Sequence, residues 1–329
     1  MTRLVVGADV GGTSTRVAVA DLDGTVLGVG REGAGNPNAV GIAASAARIR
    51  TALETALARN GSAASEVTAM VIGMAGYNTA IAAGPGFLRD SVDPAFTVTP
   101  RIVSDLGVAY ASGSALPRGY VVVAGTGSGA ADIDRGEIVA RRGAWGWLLG
   151  DEGAGFWLGR EAVRQALTEA ERGAVSSDLG RLVLRHLGID PARPLEGLLR
   201  VPYDQPPVAL AGLAPLVSGL VDSDPVAAAI AARAAEILTG LVLELDPRPG
   251  RPVVVTGSVL QSDPIRRAFA DRIATTVGSP VLPASSGLTG ALWLALGDLD
   301  RSPDPAVHSR LTATLVEALG EGAGCRTDG

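Results

Sequence analysis

Two short glycine turns carry the residues best suited to chemistry in this chain. The first runs Asp9-Val10-Gly11-Gly12-Thr13-Ser14-Thr15-Arg16, and the second is Gly125-Thr126-Gly127-Ser128. Glycines let a backbone approach a phosphate closely, and successive amides of a turn form a concave anion site. Thr13 and Ser14 add hydroxyl donors, and Asp9 could hold Mg²⁺ through water. A plain hairpin is the alternative, but it does not need an acid, two glycines and three hydroxyls together.

Three further carboxylates follow predicted strands or turns. Asp105 comes after the strand predicted for Ile102–Ser104 and before a predicted helix, whose positive amino end favours the ionised acid. That carboxylate could accept the proton of an attacking hydroxyl, although capping the helix explains it equally well. Asp151 and Glu152 follow a loop rich in Gly and Trp. They suit sugar hydroxyls or an ammonium group, and acids at a helix amino end are the alternative.

Composition excludes several kinds of chemistry. All 28 basic residues are Arg, so a Walker A lysine, a protein-kinase strand lysine and a Schiff-base amine are all missing. Cys325 is the single cysteine, which excludes disulfide scaffolds and Cys-based zinc sites. The two histidines, His186 and His308, lie in amphipathic stretches and are expected on helix surfaces. Proton chemistry at neutral pH therefore falls to a carboxylate.

Charge and hydropathy favour a soluble, cytoplasmic protein that binds small molecules. The net charge is −6 and no basic block occurs, so nucleic acid is not an expected partner. No apolar run is predicted to be long enough to span a membrane. Residues 1–10 are too short and reach Asp9 too early for a signal peptide. With 47% hydrophobic and 19% charged residues, the chain has material for two cores.

The hydrophobic pattern predicts an α/β protein in which an opening motif occurs twice. The motif is strand, glycine turn, strand, tight turn and strand. Such an internal duplication predicts two domains of similar architecture, 1–115 and 116–329, with a boundary near Ser114–Arg118. The strands of the two copies are Leu4–Asp9, Thr15–Ala20 and Val26–Val29, and then Tyr120–Ala124, Ala130–Ile133 and Glu137–Ala140.

Helices and buried strands alternate in the remaining sequence. Asp263 is predicted to cap a helix with Pro264 at its first position. Helices are predicted at about 39–58, 106–111, 155–168, 263–276, 289–296 and 305–319, with a long helical region at 177–245. Buried strands are predicted at 68–73, 102–104 and 251–256.

At the two glycine turns the chain resembles the ATPase superfamily of actin, hexokinase and the 70-kilodalton heat-shock proteins. Gly257–Ser258, which follows a predicted strand, resembles the adenosine-binding turn of that superfamily. The resemblance implies two ribonuclease-H-like (actin-like ATPase) domains with ATP in an interdomain cleft. It also implies helical insertions in the second domain and a last helix that packs on the first. The ATP-binding residues that it implies are Gly11, Gly12, Thr13, Ser14, Arg16, Gly125, Thr126, Gly127, Gly257 and Ser258. Arg16 is equally well explained as an exposed strand residue.

A narrower resemblance rests on Asn36-Pro37-Asn38, Ser104–Asp105, the second glycine turn and the run from Trp145 to Gly153. Together they resemble the N-acetylglucosamine kinase branch, which includes the BadF-type ATPases, and the chain is similar to actinobacterial glucosamine kinases. This implies phosphorylation of the 6-hydroxyl of glucosamine by ATP and Mg²⁺, with Asp105 as the catalytic base, in a possible homodimer. The substrate-binding residues implied are Asn36, Asn38, Asp105, Ser128, Gly129, Trp145, Gly146, Asp151 and Glu152. Trp145 and Trp147 flank the sugar or pack, and at least one is expected in the core.

Position 129 bears on the choice of sugar. Relatives that take N-acetylglucosamine often have Asn where this chain has Gly129. This difference favours free glucosamine, with N-acetylglucosamine and glucose as weaker substrates, and N-acetylglucosamine kinase is the alternative function.

Three more distant functions each lack an expected feature. An electron-transfer activase of the BadF type needs a cysteine-bound cluster, and a sugar-sensing regulator needs an N-terminal helix-turn-helix for which a strand at Leu4 leaves no room. A nicotinamide-dependent dehydrogenase could use Gly125-x-Gly127-x-x-Ala130, but that motif needs a helix after the turn. Residues 131–141 are predicted to form a hairpin instead.

Overall fold

Two five-stranded sheets with the same strand order form the frame of the protein. The computed structural model describes residues 3–92, 95–299 and 304–324, so Cys325 lies outside the described residues. The first sheet contains β1 (Leu4–Val10), β2 (Thr15–Asp21), β3 (Val26–Glu32), β4 (Val67–Met74) and β5 (Arg101–Ser104). The second contains β6 (Arg118–Ala124), β7 (Ser128–Asp134), β8 (Glu137–Gly143), β9 (Val253–Thr256) and β10 (Val281–Pro283).

The strand order shows that the second sheet repeats the first. The orders are β3-β2-β1-β4-β5 and β8-β7-β6-β9-β10. In the first sheet β1 is antiparallel to β2 and parallel to β4, and in the second β6 is parallel to β9. Each predicted strand of the duplicated motif forms, and the residues after Gly125–Ser128 continue as a strand, which excludes the dinucleotide-binding arrangement.

Fourteen α-helices lie within the described residues. They are α1 (Pro37–Val40), α2 (Ile42–Ala58), α3 (Tyr77–Ala82), α4 (Pro85–Asp90), α5 (Asp105–Gly113), α6 (Gly155–Glu171), α7 (Asp178–His186), α8 (Pro194–Arg200), α9 (Ala214–Gly219), α10 (Pro225–Leu243), α11 (Ser258–Gln261), α12 (Asp263–Thr276), α13 (Gly287–Gly297) and α14 (Pro305–Gly324). Short 3₁₀ helices occur at Ala64–Glu66, Val201–Asp204 and Pro207–Leu213.

Several predicted helices differ in detail from those in the structure. The helix predicted at 39–58 divides into α1 and α2 because Gly41, with φ of 82°, leaves the helical region. Ser262, not Asp263, is the N-cap of α12, so that prediction was wrong by one residue. The prediction that no segment could span a membrane was also wrong by length and composition, because α10 contains 19 residues and is strongly apolar. Buried core helices have the same length and composition, and α10 packs Ala231 and Leu238 into a core.

The chain folds into two compact units. The first contains residues up to 118, 133–138 and those from 284 onward, and the second contains 119–132 and 139–283. The division of the sequence at 115/116 remains a proposal. The packing places 133–138 and the residues from 284 onward in the first unit, although they belong to the second half of the sequence. Arg101 helps hold the 133–138 segment in the first unit through Glu137 at 3.2 Å, and it also pairs with Asp298 at 2.9 Å.

Both faces of the first sheet are covered, as its apolar strands require. Alternate residues of a strand point to opposite faces. Val6 of β1 therefore packs in the cluster that contains α2, whereas the adjacent Val5 packs in the cluster that contains Leu288 and Leu292 of α13. The second unit has one large core in which β6 and β9 pack with α6, α10 and α12.

The two histidines occupy different environments. His186 is exposed on α7, as predicted. His308 is half-buried, and its Nε2 lies 2.8 Å from the carbonyl oxygen of Ala111, with Trp293 packed edge-on against the ring. The prediction of a purely surface role was therefore wrong for His308, because α14 packs within the first unit.

Candidate functional site

The first glycine turn is held by its own backbone and by the segment that follows β3. The N–H of Gly11 donates to Ser14 O at 2.9 Å, and the carbonyl of Gly11 accepts from Gly35 and Asn36 at 2.9 and 3.1 Å. Within the described residues, the N–H groups of Gly12 and Thr13 donate to no protein acceptor. The turn therefore presents two adjacent free donors at the end of β1, which suits an anion.

Asn36 and Asn38 lie beside this turn. The Asn36 side chain caps α1 by accepting from the Asn38 N–H at 2.9 Å, and Asn38 Oδ1 accepts from the Thr79 hydroxyl at 2.6 Å. Gly76, with φ of 84°, packs so closely that a Cβ there would lie 2.5 Å from Asn36 Oδ1. Sequence reasoning missed Gly76 and Thr79, although a glycine after a buried strand was a usable signal.

Asp9 sits at the end of β1 between a cation and a helix amino terminus. It is paired across the strands with Arg16 of β2, with which it forms an ion pair. A Cβ at Gly287, the first residue of α13, would lie 2.7 to 2.9 Å from the carboxylate atoms of Asp9. The Asp9 side chain therefore lies between the Arg16 guanidinium and the first residue of α13.

Asp105 is free of the capping role that its position suggested. Ser104 caps α5 by accepting from the Gly107 N–H at 3.1 Å, whereas Asp105 Oδ1 accepts from the adjacent Leu106 N–H at 3.0 Å. The side chain still reaches solvent, but the surrounding protein removes part of its hydration. This desolvation raises the pKa of Asp105, the Leu106 hydrogen bond lowers it, and the negative charge of Asp9 raises it further. Asp105 is therefore a stronger base than an ordinary aspartate.

The second glycine turn repeats the anchoring of the first. The N–H of Gly125 donates to Gly127 O at 3.0 Å, and the carbonyl of Gly125 accepts from Gly155, the first residue of α6, at 2.8 Å. The carbonyl of Thr126 accepts from Phe156 at 3.2 Å. In the described part of the chain, the N–H groups of Thr126 and Gly127 have no protein acceptor, so this turn also presents adjacent free donors.

A carboxylate lies against the second turn. Asp151 Oδ1 accepts from the Ser128 N–H at 3.3 Å, and a Cβ at Gly127 would lie 2.7 Å from the Asp151 carboxyl carbon. Asp151 has a φ of 59°, in the left-handed region that Asp tolerates better than most residues. The next carbonyl, of Glu152, accepts from the Ser128 hydroxyl at 2.7 Å, while the exposed Glu152 side chain lines a separate pocket with Arg160 and Arg233.

A pocket of about 270 Å³ opens beside the second turn, within the second unit. Gly257, with φ of 94°, brings β9 so close to β6 that a Cβ there would lie 2.7 Å from Gly125 N. Ser258 therefore stands beside Gly125 and Thr126 on one side of the pocket. The remaining lining residues are mostly apolar and come from distant segments: Gly155, Leu158, Ala211, Ala214, Pro215, Ser218, Val259 and Ile265. Sequence reasoning did not find this wall.

The tryptophan loop between β8 and α6 lies on the surface. Trp145 and Trp147 are 68% and 42% exposed, so the prediction that at least one is a core residue was wrong. Trp147 contacts the Phe156 ring edge-on, which covers part of its surface. Gly146, with φ of 81°, helps the loop turn outward. Gly129 is packed where a Cβ would lie 3.0 Å from Ala144 Cβ, so any side chain at this position would crowd the base of the loop.

The predicted site residues thus form one cluster in each unit. The first unit contains the Gly11–Ser14 turn with Asn36, Asn38, Asp9 and Asp105, and the second contains the Gly125–Ser128 turn with Ser258 and Asp151. The described residues hold no group of three or more His, Cys, Asp or Glu side chains that could bind a metal. Asp9 lies near the end of β1, which leads into the first turn, and its carboxylate is an oxygen ligand of the kind that Mg²⁺ accepts when phosphates supply the rest.

The sequence matches a known protein family over most of its length. The model of the BadF/BadG/BcrA/BcrD ATPase family matches residues 6–295. The chain belongs to this family. The predicted family and the α/β actin-like fold with two domains are both confirmed.

Characterised relatives of this family member are sugar kinases by name. It is 28% identical over 171 residues to the N-acetylmuramic acid/N-acetylglucosamine kinase of Clostridium acetobutylicum, covering 52% of this chain and 55% of the relative. It is 28% identical over 150 residues to the N-acetyl-D-glucosamine kinase of Dictyostelium discoideum, covering 44% of this chain and 47% of the relative. The chain therefore spans about half the length of the curated relatives it matches.

The structural match covers far more of the chain. A provisionally assigned N-acetylglucosamine kinase from Chromobacterium violaceum superimposes with a TM-score of 0.67 and 28% identity. The superposition covers 89% of this chain and 99% of the other.

Proposed function

We propose that this protein is an ATP-dependent amino-sugar kinase that transfers the γ-phosphoryl group of ATP to the 6-hydroxyl of glucosamine. The observation that carries the proposal is the pair of anchored glycine turns, at equivalent places in two sheets of the same order. Each turn presents two adjacent N–H groups without a protein acceptor in the described residues. Phosphoryl transfer depends mainly on positioning and charge neutralisation, for which such donors are suited.

The pocket in the second unit is the proposed adenosine site. Its apolar wall suits a purine face, and Ser258 lines the same pocket as Gly125 and Thr126 of the phosphate-binding turn. Ala211 comes from the 3₁₀ helix Pro207–Leu213, and Ala214 and Ser218 come from α9. These segments are therefore the part of the long helical region that we propose contacts the base.

Magnesium fits the residues of the first turn as a partner of the nucleotide. Mg²⁺ is usually held by one or two carboxylates together with substrate phosphates. Asp9 is the residue that would hold it, directly or through water, and its partner Arg16 would remain beside the phosphates. When bound, Mg²⁺ would neutralise charge on the β- and γ-phosphates.

Asp105 is the proposed general base. Its carboxylate would accept the proton of the 6-hydroxyl as the sugar oxygen bonds to the γ-phosphorus and the bond to the β-phosphate oxygen breaks, releasing ADP. The raised pKa of Asp105 supports this role, because a base whose pKa is closer to the working pH accepts a proton more readily. Ser104 and Leu106 fix the carboxylate near the start of α5.

Amino-sugar selectivity is proposed to rest on carboxylates and amides. Asp151 would accept hydrogen bonds from the ammonium and hydroxyl groups, which are stronger when the donor is charged. Glu152 was predicted to share this role, but its side chain lines the separate pocket with Arg160 and Arg233. Asn36, Asn38, Ser128, Gly129, Trp145 and Gly146 complete the proposed set. The crowding at Gly129 supports free glucosamine, because no side chain at that position reaches toward an acetyl group.

N-acetylglucosamine is the second candidate substrate, because the relatives named above act on acetylated sugars. ADP release measured with glucosamine, N-acetylglucosamine and glucose decides between them, with product NMR to locate the phosphate. We expect the highest kcat/KM for glucosamine. A clear preference for the acetylated sugar would replace our choice of substrate, and no sugar-dependent ADP release would refute the kinase. Light scattering would test the proposed homodimer.

A further inference from the structure

The carboxylate of Asp151 occupies the turn at which the proposed function places a phosphate. The carboxylate accepts a hydrogen bond from the Ser128 N–H at 3.3 Å and lies against Gly127, whose own N–H is one of the free donors. A phosphate at the same turn would be a second anion at close range. Because like charges in a partly desolvated site repel, the two groups cannot both hold this turn at full strength.

The backbone on either side of residue 152 is held by hydrogen bonds, whereas the Asp151 side chain is held to the turn by a single one. The Ser128 hydroxyl donates to the Glu152 carbonyl at 2.7 Å, and the Ala154 N–H donates to the Asp151 carbonyl at 3.3 Å. These bonds hold the peptide units on both sides of residue 152. A rotation of the Asp151 side chain is therefore the smallest movement that frees the Ser128 N–H and removes the charge from Gly127.

We propose that Asp151 is a sugar-operated gate on the second phosphate turn. Without sugar, its carboxylate holds the turn and weakens nucleotide binding. The next step rests on the proposed function. The ammonium group of the amino sugar draws the Asp151 carboxylate away from the turn, which opens the turn to the phosphate. ATP is then bound tightly only when an acceptor is present, which limits transfer of the phosphoryl group to water.

The test is calorimetric binding of Mg²⁺ and AMPPNP to the full chain without sugar, for wild type, Asp151→Asn and Glu152→Gln. Removing one partly solvated like charge from the turn should tighten AMPPNP binding about three- to tenfold in Asp151→Asn. Glu152→Gln makes the same change in net charge, and the Glu152 side chain lines a separate pocket with Arg160 and Arg233. Its dissociation constant should stay within about twofold of wild type.

A second arm measures the coupling. Saturating glucosamine should tighten AMPPNP binding to wild type about three- to tenfold, glucose should do less, and Asp151→Asn should show almost no response. Thermal unfolding of each variant confirms that it is folded. Equal AMPPNP affinity in wild type and Asp151→Asn without sugar overturns the gate. An equal gain in AMPPNP affinity on addition of glucosamine to these two proteins also overturns it. Such a result leaves the kinase intact, since sugar-dependent ADP release tests that separately, whereas wild type that binds no AMPPNP refutes both.

Discussion

The two units share a strand order, yet different residues pack against their glycine turns. In the first unit β1 leads into Gly11–Ser14, and in the second β6 leads into Gly125–Ser128. The strands that pair in parallel with them, β4 and β9, are each followed within two residues by a glycine with positive φ, Gly76 and Gly257. Gly76 faces the Asn36 side chain, whereas Gly257 faces the main chain of Ala124 and Gly125.

This comparison separates what the scaffold supplies from what each unit adds. The scaffold supplies a turn whose first carbonyl is anchored by a later segment and whose next two N–H groups are free. The first unit adds Asp9 and Asp105, which are suited to proton and cation chemistry. The second unit adds an apolar pocket and Asp151. We infer that the duplicated frame provides phosphate donors twice and that the surrounding residues divide the remaining tasks.

The largest expected effect comes from removing Asp105, the proposed base, which belongs to the first unit. Asp105→Asn should lower kcat of sugar-dependent ADP release by about 10²- to 10⁴-fold, because the 6-hydroxyl loses its proton acceptor. The raised pKa of Asp105 disfavours its ionised form in the folded state. The variant should therefore be slightly more stable than wild type at neutral pH, and this gain should vanish as the pH falls and wild-type Asp105 is protonated.

Asp151→Asn is the control for that variant, since it removes a carboxylate of the second unit and should retain measurable turnover at high sugar concentration. A kcat for Asp105→Asn within tenfold of wild type would remove Asp105 from the proton transfer. Thermal unfolding across pH checks the stability claim.

The two left-handed glycines provide the next test. A Cβ at Gly257 would collide with main-chain atoms, so Gly257→Ala should cost about 2–4 kcal/mol in the free energy of unfolding. A Cβ at Gly76 meets the Asn36 side chain and the Pro37 ring, which can shift, so Gly76→Ala should cost only about 1–2 kcal/mol. Urea denaturation measures both. Gly12→Ala, which meets nothing within 4 Å, should be close to neutral, and equal costs at positions 76 and 257 would contradict the comparison.

A smaller effect concerns the charge of Asp9. That charge raises the pKa of Asp105, so Asp9→Asn should lower the Asp105 pKa. The shift is measurable by carbon-13 NMR titration of the carboxyl group, without any need for activity. Arg16→Gln, which leaves Asp9 charged and unpaired, should instead leave the Asp105 pKa at or above its wild-type value. An unchanged pKa in Asp9→Asn would mean that the two carboxylates do not interact.

Each unit has one histidine, and these should differ in pH dependence. Burial lowers the pKa of His308, so the unfolded chain binds a proton there more readily than the folded one. Stability contributed by neutral His308 should therefore be lost as the pH falls below about 6.5, the ordinary histidine value. In His308→Gln, the fall of the unfolding midpoint with decreasing pH should be smaller by roughly 1–3 °C than in wild type. The exposed His186→Gln variant should show the same fall as wild type. Thermal unfolding at several pH values between about 5 and 8, the range in which histidine changes its charge, checks both predictions.

The sequence predicted the glycine turns and strands because their signals are local. Alternating or continuous apolar residues and a tight turn at Asp23–Gly24 are readable within ten or so residues. The pocket wall could not be predicted, since Ala211 and Ser218 reach the second turn only through packing of segments about 90 residues away in sequence. The exposed Trp145 contradicted expectation because its loop turns outward at left-handed residues, including Ala144, that no apolar pattern reveals.

The return of the chain to its first unit has a consequence for biosynthesis. Leu288, Leu292 and Leu311 belong to the core that covers one face of β1 and β4, so that core lacks an essential layer until the ribosome has made residues beyond 311. The second unit, whose last residue is 283, has all its residues earlier. We therefore expect the N-terminal half of the nascent polypeptide to acquire its native packing last, and fragments cut near 118 to aggregate.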